Sequence, residues 1–320
     1  MRVNPSITIN HFTGINERAD PIRVGGGKGK MPFVEAVNVD IDDSGMVTLK
    51  PGYVLSLPGN FRDLWSNGSV CLFNDRGTLK SLSLDLRSFT TIISGLDPTA
   101  PISYVPVNDD VYLTNNSIIG YVRDSVFNPL TLGDTRPAQT FKAVLPAGHL
   151  LEYFNARLYV ARDNLIIFSD PATCQYYDKR HNFYWLDGRI SMMKAVSDGI
   201  FMSDSKATYF VDASSVRTQV ADYPANDNSV VAVDAENVGL DKLSGMVLIW
   251  SSPQGICLGA KGGQFINLTR EKIQLYRSTE NAALFRALPG KTQYLFVSEI
   301  QEADITAEPL TVSPSMDASL

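Results

Sequence analysis

The sequence predicts an all-β fold, a β-propeller of five to seven blades with extended N- and C-terminal arms, and three observations carry that prediction. Short runs rich in Val, Ile, Tyr, Phe and Thr recur along the chain, bounded by Asp, Asn, Gly and Ser. Helical periodicity is confined to two short stretches, Asn281–Ala287 (NAALFRA) and residues 270–276. A unit of apolar stretch, polar turn, apolar triplet, second polar turn and second apolar strand then repeats five times.

The copies read LWSNGSVCLFNDRGTLKSLSL (64–84), YVPVNDDVYLTNNSIIGYV (104–122), YFNARLYVARDNLIIFSD (153–170), AVSDGIFMSDSKATYFVD (195–212) and IWSSPQGICLGAKGGQFINL (249–268). The middle residues of their triplets are Cys71, Tyr112, Tyr159, Phe201 and Cys257, at steps of 41, 47, 42 and 56 by subtraction. A period of about 40 to 50 residues with three or four strands per unit is that of a propeller blade. Such a sheet has two apolar faces and buries them only against neighbours, so blades stack radially. A β-sandwich with matching strand spacing is the competing architecture, and no Trp-Asp repeat signature is present. An N-terminal hairpin (Val37–Ile41, Met46–Tyr53) and FTTIISGL (89–96) are further strand-like segments that could close the ring, and QYLFVSEI (293–300) supplies a late strand. Residues 1–33 read as an N-terminal arm, 34–300 as the propeller and 301–320 as a C-terminal arm.

The composition, 44% hydrophobic and 19% charged over 320 residues, is that of a globular chain. A net charge of −6 argues against a sequence-independent grip on nucleic acid, while leaving room for DNA to slide past a mildly acidic wall. Cys71, Cys174 and Cys257 lie too far apart for a zinc knuckle or a disulfide framework. With no apolar signal region and no long apolar run, the expectation is a soluble protein made in the cytoplasm without membrane insertion.

The acidic stretch DIDDSG, from Asp40 to Gly45, poses a choice between a calcium loop and a turn. Asp40, Asp42, Ser44 and Gly45 match the first, third, fifth and sixth positions of an EF-hand loop, but its twelfth position is Pro51, which has no side-chain oxygen. Alternating strands on either side favour a hairpin turn. VGGGKGK (24–30) lacks the Ser or Thr and the helix of a phosphate-binding loop. The three histidines, His11, His149 and His181, are far apart, and no GxSxG or HExxH motif occurs. No catalytic, cofactor-binding or metal-binding residue is therefore assigned, and no cofactor. Only His181 sits in a dense polar-aromatic stretch, YYDKRHNFYWLDG (176–188), whose Tyr176, Tyr177, Phe183, Tyr184 and Trp185 suit blade core, a subunit contact or a sugar-stacking platform.

GINERADPIRV (14–24), FVEAVNVDIDDSGMVTLKPGY (33–53) and the middle segment 156–211 resemble a family of short-tailed bacteriophage virion proteins, the tail nozzle or tail-tubular-protein-B-like propellers. In that family a Gly-Ile-Asn segment precedes an Asn-Val-Asp strand, a turn and a strand ending in Pro-Gly-Tyr. An Arg-Leu-Tyr-Val strand later leads into a turn that here is Phe168-Ser169-Asp170-Pro171. The resemblance implies a non-enzymatic virion component: a subunit of a homo-oligomeric ring, a hexamer, beneath the portal and adaptor, around a channel through which genomic DNA passes. The expected contacts to neighbours are Phe12, Ile15, Asn16, Arg18, Arg23, Tyr177, Arg180, His181 and Trp185, together with the C-terminal arm. The alternatives are a carbohydrate-binding or glycan-degrading propeller and a tail-fibre adaptor.

Overall fold

The computed structural model describes residues 11–299 except 17, 19–29, 34–35, 43, 51, 53, 56, 84, 133–140, 240–242, 271, 274 and 289–290. The chain is a β-propeller. β1 (His11–Ile15) and β2 (Lys30–Phe33) pair in parallel, and β3 (Val39–Ile41) and β4 (Val47–Leu49) form a hairpin. Blade 1 comprises β5 (Phe61–Ser66), β6 (Cys71–Asp75), β7 (Thr78–Leu82) and β8 (Phe89–Ser94); blade 2 comprises β9 (Ser103–Val107), β10 (Asp110–Thr114), β11 (Ile119–Arg123) and β12 (Val126–Pro129). Blade 3 is preceded by β13 (Lys142–Val144) and built from β14 (Leu150–Phe154), β15 (Arg157–Arg162), β16 (Leu165–Phe168) and, after an inserted β17 (Tyr176–Asp178), β18 (Phe183–Trp185). Blade 4 holds β19 (Met192–Val196), β20 (Gly199–Ser203), β21 (Thr208–Asp212) and β22 (Arg217–Ala221); blade 5 holds β23 (Val231–Asp234), β24 (Met246–Ser252), β25 (Gly255–Ala260) and β26 (Gln264–Asn267). A last hairpin, β27 (Asn281–Leu288) with β28 (Lys291–Ser298), forms a two-stranded sixth blade.

The described residues thus give five four-stranded antiparallel sheets, their strands joined by short turns except at the insertion in blade 3 and the longer first connection of blade 5. Several of those turns need a left-handed backbone at both central residues, as two-residue hairpins do. Arg76 and Gly77 have φ of 52° and 83°, and a Cβ on Gly77 would meet the Leu96 carbonyl oxygen at 2.3 Å. Asn155 and Ala156 adopt φ of 47° and 55° in the turn that opens blade 3.

Period-two alternation sends successive side chains into different interfaces. On β15, Leu158 and Val160 pack toward blade 2, while Tyr159 and Ala161 join Ile200 and Met202 of blade 4. Equivalent apolar layers lie between blades 1 and 2 (Leu72, Leu79, Tyr104, Leu113) and between blades 4 and 5 (Phe201, Phe210, Leu248, Trp250). Phe285 and Tyr294 of blade 6 pack on Val233, Val247 and Leu258 of blade 5.

The seam between blades 6 and 1 differs. Among the described residues it holds no buried apolar cluster, and Arg62 Nη2 meets Glu280 Oε2 at 3.1 Å with both side chains substantially exposed. The face of blade 6 turned away from blade 5 carries Arg286, whose guanidinium lies 3.4 Å from Asp40 of the N-terminal hairpin.

Three expectations are corrected. NAALFRA is a strand, because half-buried Phe285 packs against blade 5 and pairs with Tyr294, a tertiary demand that overrides helix propensity. Residues 270–276 contain only hydrogen-bonded turns from Lys272 and Ile273 back to the Thr269 carbonyl, with 271 and 274 outside the described residues. FTTIISGL is the outer strand of blade 1 and takes no part in closing the ring. The repeat is in frame for Tyr112, Tyr159 and Phe201, each third on the second strand of its blade. Cys71 instead begins β6, with Phe73 at its centre, and Cys257 lies on the third strand of blade 5.

Replacing Trp250, fully buried between blades 4 and 5, by Ala should cost about 3–5 kcal/mol in urea unfolding. Arg62→Ala, which removes an exposed pair at the seam, should cost less than about 1 kcal/mol. Similar losses for the two would contradict this distribution of stability.

Candidate functional site: an aromatic rim on the third blade

The third blade departs from the others by an insertion between its last two strands, and the insertion builds its outer corner. At Phe168-Ser169-Asp170-Pro171 the chain leaves β16: Ser169 Oγ accepts from the Leu158 N–H at 2.9 Å, and the Ser169 N–H donates to the Leu158 carbonyl at 2.8 Å. β17 then pairs with β13, setting Lys142 opposite Asp178 and Ala143 opposite Tyr177.

A charged network fixes this corner. Arg180 donates to both carboxylate oxygens of buried Asp178, at 3.0 and 2.8 Å, and its backbone N–H adds a third bond at 3.0 Å. Lys142 pairs with Asp170 and stands 3.9 Å from Asp178, while Asn182 Nδ2 donates to Asp170 at 2.7 Å. The Arg180 guanidinium also lies 3.9 Å from the ring centre of half-exposed Phe141. A planar cation held at both ends in this way loses little further freedom on meeting a partner.

β18 follows as the outermost strand, and its alternation divides three aromatics between two faces. Tyr184 points inward, its hydroxyl 3.1 Å from Met202 Sδ, and burial pushes its ionisation up. Phe183 and Trp185 point outward, 37% and 57% exposed, with ring centres 6.5 Å apart in an edge arrangement. Arg217 of blade 4 donates to the Trp185 carbonyl at 3.5 Å, its guanidinium 5.0 Å from the centre of the Tyr209 ring. The result is a rigid apolar pair on a short edge strand beside cations, a composition typical of interface anchors.

The sequence-assigned contacts divide accordingly. Arg180 is paired with Asp178 at the corner and His181 beside it in sequence is exposed, while Trp185 stands at the far end of β18 with Phe183 and Arg217. Tyr177 is half-buried and packs against the core between blades 2 and 3, so it is a packing residue. Phe12 lies on β1; Ile15 and Asn16 are half-buried, with the Asn16 N–H donating to the Phe33 carbonyl at 2.7 Å; Arg18 is exposed. Arg23 and the C-terminal arm lie outside the described residues, as do 24–29 of the Gly-Lys stretch. Phe183, Phe141 and Arg217 complete the rim. Phe183 was legible as part of the aromatic run, whereas Phe141 reaches Arg180 from 39 residues away and Arg217 reaches Trp185 from 32 residues away, which no local pattern shows.

The acidic stretch near the N-terminus is a turn. Asp42 Oδ1 accepts from the Ser44 N–H at 3.0 Å, the Ser44 hydroxyl at 2.6 Å and the Met46 N–H at 2.9 Å. Asp40 faces Arg286 and Gln293 instead. Among the described residues no three His, Cys, Asp or Glu side chains gather as metal ligands.

No family model and no curated protein matches the chain. Solved structures do resemble it. Virginiamycin B lyase from Staphylococcus aureus aligns over 81% of this chain and 84% of its own at 12% identity, with a TM-score of 0.50. BBS1N, in its complex with ARL6DN, aligns over 73% of each chain at 10% identity, with a TM-score of 0.48. At 12% identity the likeness to the lyase is one of fold alone.

The bonds from the Arg180 side chain and backbone, with Lys142 behind them, hold the Asp178 carboxyl well below the usual carboxylate range. A carboxyl depressed in the folded state stabilises it above the unfolded value of about 3.9, and this contribution fades as pH falls below that value. Arg180→Ala should therefore shift the acid-unfolding midpoint upward, read by tryptophan fluorescence during an acid titration. An unmoved midpoint would show that the network does not anchor the corner.

Proposed function

We propose that the chain is a non-enzymatic structural subunit of a short-tailed bacteriophage tail, a nozzle or distal tail-tube protein that assembles as a homo-oligomeric, hexameric ring and helps close the DNA channel until ejection. The observation that carries this reading is the rim of blade 3, where Phe183 and Trp185 stand exposed together on an edge strand that follows the Arg180–Asp178 pair and receives Arg217 from blade 4. The segments that resemble the virion family support it too: 33–53 contains the N-terminal hairpin, and 156–211 runs through blades 3 and 4, which carry the rim.

The mechanism is geometric and electrostatic. Main-chain ladders stiffen each blade, apolar layers lock blades together, and subunits meet through rims, loops and arms. Other copies, the portal-adaptor complex and further tail proteins are the partners, and the virion tail is the location. A chain of net charge −6 presents DNA with a wall that does not bind phosphate strongly, so the genome passes without sequence-specific contacts.

Antibodies against the folded chain should decorate the tail of purified virions in electron micrographs. Labelling of the head alone, or absence of the chain from the particle, would remove the assignment. Within it, Phe183→Ala combined with Trp185→Ala should weaken self-assembly at least tenfold by mass photometry, since truncating anchor residues costs about 2 kcal/mol or more. The monomer's melting temperature should stay within a few degrees.

A further inference from the structure

At one mouth of the central channel, the segments leading into the innermost strands of blades 2 to 6 enclose a cavity of about 260 Å³. Its polar wall is formed by His149, Arg189, Asp227, Asn228, Thr279 and Glu280, while Pro101 and Leu150 contribute apolar surface.

His149 is 7% exposed, and its Nε2 lies 2.7 Å from the Ile190 carbonyl oxygen. A carbonyl only accepts, so Nε2 carries the proton. Nδ1 is then an acceptor, and it makes no hydrogen bond among the described residues. Burial holds the imidazole neutral, and the nearby Arg189 charge acts in the same direction. Arg189 gives one N–H to Asp227 at 2.6 Å, and its half-exposed guanidinium has further donors. Glu280 is already matched by Arg62.

These facts restrict the ligand. The Arg189–Asp227 and Arg62–Glu280 pairs consume the charges on this wall, so an anion finds no unpaired cation there among the described residues. A cation would meet Arg189 and an uncharged ring. A wholly apolar ligand would strand the His149 acceptor and the Asn228 and Thr279 side chains without partners, at a cost for each. A ring bearing hydroxyl groups on one aspect and C–H groups on another satisfies both kinds of wall. At about 30 Å³ per water the cavity would hold on the order of nine waters, room for one such ring.

We infer that the channel mouth binds a neutral saccharide unit, with His149 Nδ1 accepting a hydroxyl hydrogen bond, Arg189, Asp227 and the Thr279 hydroxyl donating to and accepting from neighbouring hydroxyls, and Leu150 and Pro101 meeting the C–H face. This site is separate from the rim and does not depend on the tail assignment.

The test is a titration of the full chain, with ¹⁵N-labelled histidine, by D-glucose, D-galactose and N-acetyl-D-glucosamine, with D-glucuronate as the anionic comparison. At least one neutral sugar should move the His149 Nδ1 resonance saturably. His149→Gln should weaken that binding about tenfold, the effect of one lost hydrogen bond to a buried partner, and Thr279→Val, on the exposed wall, about threefold. Trp185→Ala should leave it unchanged. If His149→Gln does not fold, Thr279→Val on the more open wall decides. Silence with all three neutral sugars, a response to glucuronate alone, or binding lost in Trp185→Ala but kept in Thr279→Val would each overturn the inference.

Discussion

A sheet that is apolar on both faces cannot stand alone in water, and this requirement governs the molecule. Leu158 and Tyr159 are neighbours in sequence, yet one is buried against blade 2 and the other against blade 4. Neither placement is available unless a blade stands on each side. Blade 3 is therefore held rigid from both flanks, and its outer strand can expose Phe183 and Trp185 without losing its place. The rim is an overhang on a packed scaffold, with the Asp178–Arg180 pair as its brace.

Packing alone does not set how far one blade slides along the next, because apolar contact is non-directional. Buried polar side chains supply that register. Thr114, at the end of the second strand of blade 2, donates to the Gly148 carbonyl at 2.9 Å and accepts from the Gly148 N–H at 3.0 Å, where the chain enters blade 3. Ser203 holds the corresponding place in blade 4 and accepts from Ala225 ahead of blade 5 at 2.8 Å. Asn226 bonds to Tyr276 and Ser278 ahead of blade 6, and His149 to Ile190 ahead of blade 4. Of these residues His149 also lines the channel mouth, so one tie serves both the register and the cavity.

The architecture was legible in the sequence to the extent that a short-range pattern encodes it. Strand and turn alternation, the period near four dozen residues and the DDSG hairpin are local signals, and the structure agrees with them. The frame of the repeat was legible only for the middle copies. In the fifth copy, Ile249 and Trp250 on β24 resemble a first strand because that whole segment is apolar, which moved Cys257 to the wrong strand. NAALFRA misled for a related reason: Ala, Leu, Phe and Arg suit a helix, and only the partner strand and blade 5 decide otherwise. Of the rim, the aromatic run could be read directly, but which aromatics face outward depends on the pairing of β18 with β16, set by residues 16 to 20 positions earlier. His149 and Arg189 gave no signal, since one polar residue ahead of each blade looks like ordinary loop chemistry until the ring closes.

Ring closure is also where the molecule is weakest, for a reason that chain statistics make explicit. Each complete blade is formed by neighbours in sequence, whereas Asp40 reaches Arg286 and Gln293 across separations of 246 and 253 residues. With loop entropy growing as 1.5 RT ln n, closing a loop of that length instead of one blade's span of some 45 residues costs roughly 1.5 kcal/mol more. The exposed Arg62–Glu280 pair returns at most about 1 kcal/mol, so it cannot hold the seam alone. What retains blade 6 is Phe285 and Tyr294 on blade 5, and what retains the N-terminal hairpin is buried Asp40 against Arg286. Thermal opening should accordingly begin between blades 6 and 1 while the other five interfaces stay packed, leaving the rim on blade 3 and most of the channel mouth in place.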